Sequence, residues 1–311
     1  MGERGLAGVA RLPGADVRPQ PSYDPPVILG DLTAAKAFAD LSDWRKISVT
    51  GRDALEWLDE LVTANVTSLS PGRSQRCLLL DDGGGLQADF TVAVQGSSIV
   101  LLQDPAQPRS VDELLSGYTE GSDVELQDRS RELSIFAFPS RPATPDLGGT
   151  AHYAPSALGL GSDIVCMPQD HDRLRASLAK SFALASKDDL EAWRIAAGRP
   201  RMGVDALEGD LPQEAGLMDA VDPGKARYLG REAVAGIEDS TPLRTVVLVL
   251  ETLEPVSPGE GLFAGGKPAG ELTSVTATGD GVVGLARVFW ELRSGPFVTD
   301  EGVSLGVRAP S

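Results

Sequence analysis

Arg76-Cys77-Leu78-Leu79-Leu80, Asp81-Asp82-Gly83-Gly84-Gly85 and Ala88-Asp89-Phe90-Thr91-Val92-Ala93-Val94 form the stretch on which the fold turns. Two runs of strand length flank a connection whose glycines and aspartates tolerate positive φ, so the stretch reads as a β-hairpin. Ser98 to Leu102 supplies a third strand. Upstream, Lys46-Ile47-Ser48-Val49-Thr50-Gly51 alternates as a strand, and Ser70-Pro71-Gly72 is a turn. Between them, apolar residues at 54, 55, 58, 61 and 62 predict a helix over 53–62 with one buried face. A short helical pattern runs from Ala34 to Leu41.

Downstream, Asp112 to Leu115 reads as a short helix, and Val124 to Asp128 and Leu133 to Phe138 as strands. Residues 139–150 read as a loop, Ser162 to Met167 as a strand, and Asp170 to Phe182 as a helix. A further helix spans Asp188 to Ala197, capped by Ser186, with acidic residues in its first turn. Gly198-Arg199-Pro200 stops it. Residues 199–224 show no periodic element, and so long an irregular stretch in a compact protein points to function or disorder.

The character changes at Pro242. Thr245 to Leu250 is a strand, followed by Gly-punctuated short strands at about ten-residue spacing, which predicts a small β-barrel or sandwich. The expected organisation is a flexible Gly/Pro/Arg-rich arm over 1–28, a mixed α+β region over 29–240 and a β-domain over 241–311.

With 311 residues, 41% hydrophobic and 23% charged, the chain is ordinary globular protein. A net charge of −17 argues against nucleic acid or anionic membrane as partner. No apolar run approaches the ~20 residues of a membrane span, and the N-terminus does not read as a signal peptide. Cys77 and Cys166 are expected as buried free thiols in a reducing cytoplasm. With only His152 and His171 besides, no metal site is expected. There is no G-x-x-x-x-G-K-[ST] phosphate loop and no G-x-S-x-G elbow. Arginines at 194, 199, 201, 227 and 231 lie close enough in sequence to build a local pocket for a small anion.

A second block matters beside the hairpin: Trp193-Arg194-Ile195-Ala196-Ala197-Gly198, then Lys225-Ala226-Arg227-Tyr228-Leu229-Gly230-Arg231-Glu232. In this order, with Ile47 to Ala54, Thr63-Ala64-Asn65-Val66, Pro71-Gly72-Arg73 and Gly266-Lys267-Pro268-Ala269-Gly270-Glu271-Leu272-Thr273-Ser274, the chain resembles the folate-binding aminomethyltransferase superfamily. That superfamily includes the glycine cleavage T-protein and YgfZ-type folate-binding proteins. The resemblance covers roughly residues 35–305 and implies a three-part cloverleaf around a central channel for tetrahydrofolate, with interleaved N-terminal parts and a C-terminal β-barrel.

The same resemblance implies that Asp89, at the end of the G-G-x-x-x-D run, sits by the folate nitrogens and serves one-carbon transfer between a small-molecule donor and acceptor. An Asp on the solvent face of the hairpin is the other reading. Tyr118, Arg194, Arg199, Arg227 and Tyr228 are further candidate cofactor contacts, Tyr118 because aromatics are scarce. Tyr228 also suits the core.

Two family positions are changed. Ala196 stands where a glutamate would accept from the pterin ring, which predicts weakened folate binding; Glu191, on another part of the helix, is no obvious substitute. Arg227 replaces the YgfZ-type cysteine, so chemistry needing that thiol is absent, and Tyr228-Leu229-Gly230-Arg231-Glu232 fits the transferase branch better. A carrier protein is a further partner within the family. The competing readings are a non-catalytic YgfZ-like scaffold in iron–sulfur maintenance and a pocket repurposed for another anion.

Overall fold

The structure, a computed structural model, describes residues 29–95, 98–141, 150–237 and 241–308. The expected 1–28 arm lies outside the described residues. The hairpin forms as read: Ser74–Leu80 pairs antiparallel with Leu86–Gln95, placing Cys77 opposite Phe90 and Leu78 opposite Asp89. Ser98–Gln103, Arg45–Thr50 and Glu125–Asp128 extend it to a five-stranded sheet.

Strand alternation sorts its residues onto two faces. Cys77, Leu79, Ala88, Phe90 and Val92 pack on Trp57, Leu58 and Leu61 of the helix Ala54–Leu61. Asp89 therefore points to the opposite face. That face is covered too: Leu78, Leu80 and Leu86 meet Met202, Ala206 and Leu217, while Ala93 and Leu102 meet the second sheet.

The two motif blocks are one structural unit. A Cβ at Gly230, whose φ is +73°, would stand 2.4 Å from the Asp81 carbonyl oxygen and 2.6 Å from the Gly84 Cα. Only glycine allows the hairpin turn and the 228–230 turn to touch. Lys225 Nζ donates to the Val62 and Ala64 carbonyls and pairs with Asp59 at 3.3 Å, tying the same block to the end of the helix Ala54–Leu61.

The second sheet runs, in spatial order, Ala183–Ala185, Ala37–Asp40, Ser134–Phe138, Ser162–Cys166, Ala151–Tyr153. Its first strand in the chain precedes the whole of the first sheet and the other four follow it, so the two sheets interleave in sequence. The helix expected over Ala34–Leu41 is replaced by the strand Ala37–Asp40, with a short helix Leu29–Thr33 before it. Its Ala37, Phe38 and Ala39 are buried and the strand has a neighbour on each side, Ala39 meeting both Ala185 and Ala137, and that pairing overrides the helix propensity of alanine. One face of this sheet, with Phe38, Phe136 and Ile164, packs on the helix His171–Leu178, shorter than the expected 170–182. The other face packs on the first sheet.

Thr245–Thr252, Gly281–Phe289, Lys267–Thr278, Gly261–Ala264, Phe297–Thr299 and Ser304–Val307 form a closed barrel filled by residues such as Leu250, Leu272, Ala286 and Phe297. The segment 199–224 holds only the short helix Pro212–Ala215 and a 3₁₀ turn, Met218–Ala220. Among the described residues no helix is long and apolar enough to cross a membrane, and no cluster of His, Cys, Asp and Glu is arranged to hold a metal ion. Cys77 and Cys166 are free and buried.

Candidate functional site

A cavity of about 290 Å³ opens where the Asp89 face of the first sheet meets the Asp40–Trp44 end of the second. The helix Lys187–Ala196 and the segment Arg199–Met202 close its far side. Trp44, Leu158, Leu190 and Trp193 give it apolar walls. The barrel contributes no lining residue among those described; it backs the helix instead.

Asp89 lines this cavity with its carboxylate in a two-pronged ion pair. Arg76 Nε reaches Oδ1 at 2.8 Å and Nη2 reaches Oδ2 at 2.6 Å. Burial works against the charged form of Arg76, but the carboxylate of Asp89 outweighs it and raises the guanidinium pKa. Gln107 clips the strand at this point: its Oε1 accepts from the Asp89 N–H at 3.1 Å and its Nε2 donates to the Asp89 carbonyl at 2.5 Å. An ionised carboxylate has about four lone-pair sites, so Asp89 can still accept from a ligand beside Arg76. Hairpin register alone would have found this partner, because pairing Cys77 with Phe90 sets Arg76 diagonally across from Asp89 on one face.

The arginines of the second block separate by role. Arg194 lines the cavity, yet its donors are committed to Glu191 (3.0 and 2.7 Å), Asp205 (2.7 Å), the Arg199 carbonyl (2.5 Å) and Ser274 Oγ (3.0 Å). Asp205 is fully buried and also accepts from Thr273 Oγ1 at 2.5 Å and Ser274 Oγ at 2.7 Å. The Thr-Ser pair of the barrel run thus latches barrel to helix. Arg201 pairs with Glu191 at 3.0 Å, and its Nε is buried without a partner. Arg199 lies over the Trp193 ring, 5.9 Å from guanidinium to centroid. Burial, and then the charge of Arg76, lower the pKa of Arg199.

Other sequence candidates lie elsewhere. Tyr118 is exposed, and its carbonyl accepts from Trp57 Nε1 at 2.8 Å on the side of the first sheet away from the cavity. Arg227 is a surface residue paired with Glu60 at 3.3 Å. Tyr228 packs with Leu78 and Leu80. Neither lines the cavity, because the 225–230 block is spent on docking the hairpin turn. Ala196 is also outside the lining; the cavity-facing positions of its helix are Lys187, Leu190, Glu191, Trp193 and Arg194. The Ala196 carbonyl instead accepts from Arg308 at 2.6 Å. Glu191, set aside by helix position, is the helix carboxylate that does face the cavity.

Residues 32–139 match the family model described as the GCVT N-terminal domain. The chain is 28% identical over 274 residues to an aminomethyltransferase of Geobacillus kaustophilus, covering 76% of this chain and 74% of that one. It is 25% identical over 282 residues to an aminomethyltransferase of Bacillus subtilis, covering 78% and 76%. Among solved structures, the glycine cleavage system aminomethyltransferase T of Bartonella henselae superposes with a TM-score of 0.75 over 90% of this chain and 88% of that one, at 19% identity.

Proposed function

We propose that the chain, a divergent member of the aminomethyltransferase superfamily, binds a reduced folate in this cavity beside Asp89 and serves one-carbon transfer. The observation that carries this is the placement of the Asp89 carboxylate on the wall of a cavity that also offers aromatic and aliphatic surface. Its volume of about 290 Å³ lies just under the ~300–1,000 Å³ of small-molecule sites.

The residues present suit such a group. Trp44, Leu190 and Trp193 offer apolar surface to a ring system. Bound tetrahydrofolate would supply the nitrogens that carry a one-carbon unit. Asp89 would orient an N–H at that end and offset positive charge there, with Arg76 fixing the carboxylate's angle. The apolar walls keep water off and strengthen these interactions. Ala196 offers no pterin acceptor, so Glu191 is the helix carboxylate positioned to take that role. The two buried thiols support a reducing, cytoplasmic setting, and the donor, acceptor and any carrier protein are left to chemistry at the cavity mouth.

Calorimetric titration with 5-formyl-tetrahydrofolate tests the reading. Binding by the native chain is expected, and Asp89→Asn should cut turnover in a methylene-exchange assay at least tenfold while the protein stays folded. Absence of binding by the native chain would overturn it.

A further inference from the structure

We propose that Arg199 is the receptor for a carboxylate carried by a ligand of this cavity, an inference that rests on the cavity being the ligand site. Each of the other three guanidiniums on the wall is paired with an acid: Arg76 with Asp89, Arg194 with Glu191 and Asp205, and Arg201 with the same Glu191. The Arg199 side chain makes no hydrogen bond and no ion pair among the described residues. Its one close partner is the Trp193 ring.

The surroundings are shaped to hold this group. A Cβ at Gly159 would stand 2.8 Å from Arg199 Nη1 and 2.9 Å from the Pro139 carbonyl oxygen, so the glycine makes room for the guanidinium. Trp193 backs it at a distance suited to cation–π contact. Arg199 is half-buried, and a cation partly withdrawn from water without a counter-charge is disfavoured. Arg76 adds like-charge repulsion, and the acids that attract Arg199 through space, Asp89 and Asp219, are those already paired with Arg76. A planar carboxylate would accept two parallel N–H bonds and restore the balance. Such a carboxylate can belong to the folate itself or to a second, small acid bound next to it.

The test uses the full chain, calorimetry and three probes: 5-formyl-tetrahydrofolate, tetrahydrobiopterin (a pterin without carboxylate) and benzoate. Arg199→Met should weaken benzoate at least tenfold, Arg199→Lys should recover part of the loss, and tetrahydrobiopterin should bind native chain and variants alike. If 5-formyl-tetrahydrofolate displaces benzoate and is itself weakened tenfold by Arg199→Met, the folate supplies the carboxylate. If the two bind together and only benzoate depends on Arg199, a second small acid supplies it. Benzoate binding that depends on Arg199 with no binding of either pterin would remove the folate reading and leave this inference standing. No benzoate binding to the native chain, binding indifferent to Arg199→Met, or equal weakening of all three probes would overturn it.

Discussion

Asp163 shows how far one residue can depart from its ordinary chemistry in this fold. It is wholly buried, with Ser156 Oγ on one oxygen at 2.5 Å and the Ala157 N–H on the other at 2.8 Å. Burial pushes its carboxyl up to about 7 from 3.8, against the pull of those two hydrogen bonds. Between these values the folded chain holds a proton that the unfolded chain has released. Stability is therefore fullest below the unfolded value and falls as pH rises to about 7, at about 1.4 kcal/mol per pH unit. Asp163→Asn keeps both bonds, its amide donating to Ser156 and accepting from Ala157. It should flatten this slope and be the more stable protein at pH 8, as read by urea denaturation from pH 5 to 8. His171 is pulled down by burial and further up by Asp40 and Asp172, and it contributes a slope of the same sign, so the difference between the two proteins is the measure. Equal slopes would refute the assignment. At this scale the sequence was legible only where a local rule applied. Asp89 and Arg76 follow from hairpin register, whereas Arg194 and Arg199, five residues apart and identical in type, differ because Asp205 and Ser274 claim one and nothing claims the other.

Among the elements, the helix Lys187–Ala196 was readable because its start is written locally. Ser186 Oγ accepts from the Asp189 N–H at 3.1 Å, and the Asp189 carboxylate accepts from the Ser186 N–H at 2.9 Å. This reciprocal cap fixes where the helix begins, and so the angle at which Leu190, Glu191 and Trp193 face the cavity. Ser186→Ala should cost about 1 kcal/mol in chemical denaturation and weaken ligand binding more than an exposed alanine substitution such as Arg175→Ala on the helix His171–Leu178. Equal effects of the two on binding would show that the cap does not set the cavity wall. The strand Ala37–Asp40 was unreadable for the opposite reason. Its partners start at Ser134 and Ala183, so nothing near it in the chain announces a strand.

For the whole molecule, a closing β-unit was legible from its glycine spacing and its form as a barrel from the family resemblance, but its relation to the cavity was not. It holds the site from behind, through charges far apart in sequence: Arg194 and Asp205 with Thr273 and Ser274, Arg287 with Asp210, and Arg244 with Glu214 at 2.6 Å. Asp205 is the centre of this latch, accepting from Arg194, the Arg201 N–H, Thr273 and Ser274. Removing it strands a largely buried guanidinium and two hydroxyls at once, so the loss exceeds that of a surface pair, which is worth about 0–1 kcal/mol. Asp205→Ala should destabilise the chain by roughly 3–5 kcal/mol in urea denaturation. Because Arg194 also holds Glu191 and the Arg199 carbonyl, ligand affinity should fall with it. Asp205→Asn keeps an acceptor without the charge and should lie between. The pair is buried, so added salt should recover little of the loss. A cost below 1 kcal/mol, or a loss removed by salt, would mean that the barrel is held by its apolar contacts and that the Thr-Ser run is incidental to the site.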